Sequence, residues 1–493
     1  MRRVSALSLS LALGACTVGP NYAGPPTLGS AEPPAAFARA DAATPAEAPQ
    51  AGAWWKGLND ATLDTLEQRA LAGNPDVAVA LARLRQARAG LRLERANQLP
   101  SGSANASYLH AQLPGIDLGS SSGGDSGSGG ADDGSGGSDS TSSLDFYNLG
   151  FDASWEIDLF GGERRKVEAE RASVSAAEAN VADAQVSLAA EVAQNYVEYR
   201  DRQHQLALAR QAARMQQQML DLAQQRYDRG AASALDVERL RNQVENTNAQ
   251  LVPLDAQLDA YRDALAVLTG AAPGTLDAML ADSGPVPLPP EAVSIGDPAA
   301  LIARRPDIRA AERTLAAQTA QIGVAEAARL PKLQLLGLIG LGGEDPSDVV
   351  DLDKLTALAS PMLQWNVLDF GRGSARVDQA KGKRDEAEAR YRQTVLAALR
   401  DAEDSLSRFG SQRRALGGYA HASASADRAS GLMKQRYAAG TVNLSDLLDV
   451  ERQRVSAQRA VSTAQAELTT GYIALQKALG LGWTSSTEGA PAG

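Results

Sequence analysis

WEIDLFGGERRKVEAERA, residues 155–172, changes its period in the middle. Up to Leu159 apolar and polar residues alternate, the pattern of a strand with one apolar face. After Gly162 the chain takes on charged, alanine-containing helical spacing. WNVLDFGRGSARVDQAKG, residues 365–382, makes the same switch. Trp155, Phe160 and Gly161 thus return 210 residues later as Trp365, Phe370 and Gly371.

The register continues downstream. QRYDRG (225–230) meets QRYAAG (435–440), Asp236 meets Asp446, and Gly270 meets Gly480. Upstream the offset is 231: NPDVAVALARL (74–84) meets RPDIRAAERTL (305–315), and Leu99-Pro100 meets Leu330-Pro331. The 21-residue difference lies between Pro100 and Trp155, where the Gly/Ser/Asp tract 119–143 cannot bury a core. The chain is therefore two copies of one unit, the first with a longer loop.

Each copy opens with a helix, apolar at Val77, Leu81, Leu84 and Leu91 in the first, ending before a proline. Two strands follow, 102–113 with 145–160 and 332–341 with 355–370. In the second strand of the first pair, Tyr147, Leu149, Phe151, Ala153, Trp155, Ile157 and Leu159 share one face, and Asp152, Glu156 and Asp158 the other. Long helices come next, 162–229 and 371–439, then return helices 233–270 and 443–480. Val167, Val174, Val181 and Leu188 repeat every seven residues, a coiled-coil seam. No proline interrupts 115–252 or 362–490, and a helix filling the 68 residues between Gly161 and Gly230 reaches about 100 Å. Gly230 and Gly440 are the turns between the helices. A break is expected at FGSQRRALGGY (409–419) and a kink at Pro253.

A lone hairpin with one long apolar face is unstable in water, whereas an outer-membrane strand is about 9–11 residues, apolar outside and polar inside, with aromatic girdles. Trp155 and Trp365 are the girdle candidates. One chain supplies four such strands and closed membrane barrels begin at about eight, so the chain must oligomerise. Periodicity permits a dimer, a trimer or more.

A net charge of −11 argues against nucleic acid as a partner. The N-terminus carries Arg2, Arg3 and a short apolar run ending in LGAC (13–16), which resembles the lipobox of bacterial lipoproteins. Residues 1–15 are then a signal peptide, and Cys16, the only cysteine, is the acylated N-terminus. His110, His204 and His421 lack metal-ligand spacing, and no nucleophile–base pair or cofactor motif is present. The expectation is a non-enzymatic protein with no cofactor or metal beyond a covalent lipid such as palmitate on Cys16. Arg164, Arg165 and Lys166 face lipid headgroups, the lumen or simply solvent.

CTVGPNYAGP (16–25), WWKGLND (54–60), LAGNPDVAVALARLRQARA (71–89), RRPDIRAAE (304–312) and LDFGRG (368–373) resemble the TolC-like outer-membrane factors, in particular the NodT-type lipoproteins of RND tripartite pumps. The resemblance runs from Cys16 to about Gly480. It implies a mostly α fold with membrane β: a trimeric 12-stranded β-barrel continuous with a long periplasmic α-helical barrel. It also implies a lipidated N-terminal linker (16–60), two repeats (61–270 and 301–480), an equatorial linker (271–300) and a flexible tail (481–493). The partners implied are two further copies, outer-membrane lipid, a periplasmic adaptor and an inner-membrane RND-type pump. The implied function is a duct exporting drugs and toxic compounds. The pore would close at the helix tips around Asp236, Asp446 and Asp449, with Tyr437 pairing the acid at 236. The first copy departs at Arg239, opposite Asp449 in the repeat. Helix capping accounts equally for Asp236. Rival readings are a periplasmic adaptor, which needs one hairpin and small β domains, and a coiled-coil scaffold without a pore.

Overall fold

The computed structural model describes residues 17–26, 35–41, 44–49, 52–114 and 141–483. Cys16, the loop 115–140 and the tail beyond Trp483 lie outside them. In chain order the elements are α1 (Ala61–Gly73), α2 (Pro75–Asn97), β1 (Ser101–Pro114), β2 (Thr141–Ile157), α3 (Gly162–Asp228), α4 (Ala234–Leu268), α5 (Asp277–Leu280), α6 (Pro298–Arg304), α7 (Pro306–Ala327), β3 (Lys332–Gly343), β4 (Leu355–Gln364), α8 (Arg372–Ala438) and α9 (Leu444–Ala478). No helix among the described residues is long and apolar enough to cross a membrane.

Two compact units are formed. One comprises the described residues within 17–22, 89–114, 141–171 and 317–384. Its sheet is antiparallel in the order β1-β2-β3-β4. Ser101 faces Ser154 in the first hairpin, and Lys332 faces Gln364 in the second. The second pair is the first moved along by 231 and 210 residues, so the offsets read from the sequence reproduce the ladder register. The indoles obey the same rule. Trp155 Nε1 donates to the Gln98 carbonyl at 3.0 Å and Trp365 Nε1 to the Arg329 carbonyl at 3.1 Å. β2 ends at Ile157 and β4 at Gln364, earlier than the alternation implies. Trp365 therefore sits just past its strand. In the first repeat, Leu159 and Phe160 belong to the turn, where Gly161 takes φ +81.

The same unit contains a clamp that periodicity does not reveal. Arg165 is buried, with 3% of its side chain exposed, so it faces neither lipid nor solvent. Its Nε donates to the Val18 carbonyl at 3.1 Å. Its Nη2 donates to the Gly19 carbonyl at 3.1 Å and to Asn21 Oδ1 at 2.7 Å. Glu168 neutralises it at 2.6 Å. Val18 N–H bonds the Phe160 carbonyl at 3.1 Å. The fit demands glycine: a Cβ on Gly161 would come within 2.4 Å of Thr17, and one on Gly323 within 2.9 Å of the Arg165 stem. Residues 17–21, directly after Cys16, are thereby fixed at the first strand-to-helix turn.

The other unit holds the described residues within 23–88, 172–316 and 385–483. Its core gathers Trp54, Trp55, Leu63, Leu66, Tyr196, Tyr199, Leu265, Ile295, Phe409, Tyr472 and Ile473. The repeat is visible here too. Asn74 Nδ2 donates to the Leu268 carbonyl at 2.9 Å, and Arg305, its counterpart, donates to the Ala478 carbonyl at 2.7 Å. Different side chains thus close the same orphan carbonyls at the ends of the return helices.

α8 is continuous through 409–419, which corrects the expected break. Glycines cost about 1 kcal/mol each in a helix, but Phe409 is 1% exposed in the core beside Tyr472, at a centroid distance of 6.4 Å. Arg413 adds an ion pair to Asp41 at 2.8 Å. Packing on this turn outweighs propensity. Pro253, the expected kink site, lies inside the helical span of α4.

Candidate gate at the helix tips

Both hairpin tips are built by one device. Gly230 and Gly440 adopt φ +74 and +72, conformations that cost a residue with a Cβ about 1–2 kcal/mol. No atom would touch a Cβ at either position, so the requirement is conformational and not steric. The N–H of Gly230 bonds the Tyr227 carbonyl and that of Ala231 the Arg226 carbonyl, both at 2.8 Å. Gly440 to Tyr437 and Thr441 to Arg436 repeat these bonds at 3.0 Å. This is the Schellman closure of a helix end.

The return helices start with caps. Ser233 Oγ accepts from Asp236 N–H at 3.2 Å and donates to Asp236 Oδ2 at 2.7 Å. Asn443 Oδ1 accepts from Asp446 N–H at 2.9 Å. Asp236 and Asp446 thus occupy the first turns of their helices, where a negative charge is favoured. Both are exposed, as is Asp449, one turn further on, which pairs with Arg452 at 3.2 Å. Arg239, also exposed, stands where Asp449 stands in the other hairpin. The acidic pair at 446 and 449 is therefore a property of the second hairpin alone.

The two hairpins meet through a small core. Ala223, Val237 and Leu240 are buried against Met219, Leu220, Leu444 and Leu448. Tyr437 lies under the Arg226 guanidinium, 5.4 Å from the ring centre, a cation–π arrangement. Its hydroxyl oxygen is buried and has no hydrogen-bond partner among the described residues. Tyr437 and Asp236 are not joined by a hydrogen bond here; Asp236 is engaged by its own cap.

One charged cluster was not legible as a site. Glu451 is 4% exposed. It accepts from Lys434 Nζ and from Arg454 Nε, each at 3.0 Å, and closely from Ser430 Oγ. Arg454 also approaches Asp427 at 3.8 Å and the Met215 sulfur at 3.9 Å. Burial alone would raise the Glu451 pKa. The hydrogen bonds from Ser430, Lys434 and Arg454 outweigh it and hold the carboxyl below its ordinary value. In the first hairpin the counterparts of Ser430, Lys434 and Arg454 are Leu220, Gln224 and Val244. Comparing the two halves of the chain at the 210 offset would have exposed the difference.

No group of three or more metal-ligating side chains occurs among the described residues. A family model described as outer membrane efflux protein matches residues 66–271 and 298–481, one match in each repeat. The chain is similar to outer membrane protein OprJ of Pseudomonas aeruginosa, 30% identical over 97% of this chain and 96% of that protein. It is 29% identical to nodulation protein T of Rhizobium leguminosarum bv. trifolii over 96% of each. Among solved structures, the outer-membrane channel OprN superposes with a TM-score of 0.84 at 33% identity, covering 95% of this chain and all of that one. Two hairpins, a four-stranded sheet open at both edges and these matches over both halves assign the chain to the outer membrane efflux protein family, as a trimeric outer-membrane channel with a 12-stranded β-barrel and a periplasmic α-helical barrel.

Proposed function

We propose that this channel is the exit duct of a tripartite pump, receiving drugs and other toxic small molecules from an inner-membrane RND-type transporter through a periplasmic adaptor. The observation that carries the reading is the family match across both repeats, which the adaptor and scaffold alternatives do not meet. Three chains would bring three Asp446 and three Asp449 side chains together just past the Gly440 turns. Such a collar favours cations and repels anions. Asp236 would join it, and Tyr437, with its buried unpaired hydroxyl, would take an acceptor from the acid at 236 when the tips close.

Acylation of Cys16 would place lipid at the first strand-to-helix turn, because the next five residues are held there by Arg165. Trp155 and Trp365 stand near the same strand ends and would lie at the interfacial level of the bilayer. The test is complementation. The chain, co-expressed with an adaptor and an RND-type pump in a strain lacking its own outer-membrane channel, should restore resistance to an exported antibiotic. Restored resistance that persists without the adaptor and pump would refute the tripartite reading.

A further inference from the structure

The two hairpins differ on one face of the sheet. Odd-numbered residues of β1 and even-numbered residues of β2, β3 and β4 lie opposite the face of Leu149 and Trp155. In the barrel this second face is the lumen, which a membrane barrel keeps polar. The first hairpin obeys, with Asn105, Ser107, Asn148 and Asp152. At the same places in the repeat, by the offsets of 231 and 210, the second hairpin carries Leu336, Leu338, Leu358 and Met362. It therefore presents apolar side chains on both of its faces, although lipid requires them on one only.

These inner residues are not a packed core. Leu358 is 61% and Met362 46% exposed. Barrel closure pairs strand edges in the plane of the sheet and covers neither face, and a twelve-stranded barrel is wider than the eight-stranded size whose interior side chains fill. Contiguous apolar surface left facing water marks a binding face.

An acid adjoins the patch. The ladder sets Asp152 opposite Leu338 and Leu338 opposite Leu358, neighbours about 5 Å apart. Asn105 Nδ2 donates to Asp152, and Asn105 Oδ1 accepts from Asn148 Nδ2 at 3.2 Å. Asp152 makes no ion pair among the described residues, whereas Glu156 on the same face is neutralised by Lys332 at 2.9 Å. Beside this row the wall has no side chains, since Gly150 faces Gly340. A Cβ on either would lie 3.0 Å from a carbonyl oxygen of the facing strand. The result is a flat stretch of backbone bordered by leucines, with a carboxylate at its corner.

We propose that this part of the barrel wall is a binding seat for amphiphilic cations in transit, one in each chain of the trimer. The apolar body of the solute lies on Gly340, Leu336, Leu338 and Leu358, and its positive charge meets Asp152. The inference rests on the exit-duct reading and adds to it the place where a solute pauses and the chemistry that makes it pause. A small inorganic cation gains only the carboxylate, a neutral apolar solute only the leucines, and an apolar anion is repelled by Asp152. Because the seat belongs to the second hairpin and its border with the first, apolar and polar sectors alternate around the lumen.

Block of single-channel current in planar bilayers tests the seat, with the ion added on the outer side of the trimer. Tetraphenylphosphonium carries both features, tetramethylammonium only the charge, and tetraphenylborate a similar body with the opposite charge. Tetraphenylphosphonium should block the wild type at a concentration at least tenfold below either of the others. Leu336→Asn with Leu338→Ser, which installs the residues of the first hairpin, should raise that concentration at least fivefold and move tetramethylammonium block less than twofold. Asp152→Asn keeps the side-chain shape and removes the charge, so it should narrow the gap between phosphonium and borate at least fivefold. It carries the test by itself should the double variant fail to assemble. Unchanged phosphonium block in Asp152→Asn, or in an assembled double variant, places the block elsewhere, the acidic collar included, and overturns the seat while the conducting duct stands. Equal block of the wild type by tetraphenylborate overturns it as well. A wild-type trimer that conducts no ions overturns the duct reading itself.

Discussion

Replacing Glu451 by alanine tests whether the second hairpin is held by a buried charge cluster. The substitution leaves Arg454, 12% exposed, without its principal counter-charge, while Asp427 remains only at 3.8 Å. Lys434 is half exposed and returns to water. Ser430, 2% exposed, loses its acceptor. Breaking one side of a buried pair costs about 3–5 kcal/mol, and the remaining Asp427 puts this case at the lower end. An unsatisfied hydroxyl adds about 1 kcal/mol. A local loss of about 4 kcal/mol raises the open population of the hairpin nearly a thousandfold, since about 1.4 kcal/mol is tenfold. Hydrogen exchange across α8 and α9 near Gly440 should quicken by that factor, and trypsin should cut sooner at exposed Arg436, while exchange in the first hairpin stays unchanged. Grafting apolar residues into the cluster, Ser430→Leu and Arg454→Val as at Leu220 and Val244 of the first hairpin, with Glu451→Leu where the first hairpin has Arg241, should recover most of the loss, because apolar replacement of a buried charge cluster is often neutral. Unchanged exchange in Glu451→Ala, or a graft as loose as the single variant, would refute the reasoning. The pH dependence has a definite sign. The folded Glu451 pKa lies below the ordinary carboxylate value, so its contribution is complete above about pH 5 and is lost as pH falls through the folded pKa. The wild-type hairpin should therefore loosen in acid and be indifferent between pH 6 and 8, and Glu451→Ala should lose the acid response.

The other predictions concern the collar, the clamp, the turn and the loop. Asp446→Ser with Asp449→Ser should change single-channel conductance in planar bilayers and weaken block by multivalent cations; unchanged conductance and block would leave both as helix-terminus residues. Arg165→Ala should release residues 17–21, read as faster proteolysis or exchange of that segment, with trimer yield falling only if the segment is needed for assembly; unchanged protection would refute the clamp. Gly440→Ala should destabilise the second tip by about 1–2 kcal/mol through the φ requirement, seen as faster exchange in α9, whereas no change would mean the turn adapts. Deleting 120–140 should preserve trimer yield and export, because the tract has little apolar area to bury and loop shortening changes closure entropy by only about 0.6 kcal/mol per halving; loss of trimer would make the tract structural.

The duplication, the two strand pairs, the long helices and the glycines at their turns were all legible from the amino-acid sequence. Each is written in local periodicity or in two fixed offsets, and the offsets carry the ladder register as well, since Ser101/Ser154 maps onto Lys332/Gln364. Tertiary packing decided the rest. It kept α8 helical through Gly417 and Gly418, because Phe409 is anchored on Tyr472, and no local propensity reports a partner 63 residues away. It turned Arg165 from an arginine at a strand end into a clamp on residues more than 140 positions earlier. It also buried Glu451, whose sequence neighbours look like any solvated helix face, beside cations that neutralise it. A sequence displays spacing along one element, and spacing sets which residues share a face. Which face meets which, and hence which charges leave water, is settled only when elements distant in the chain pack together.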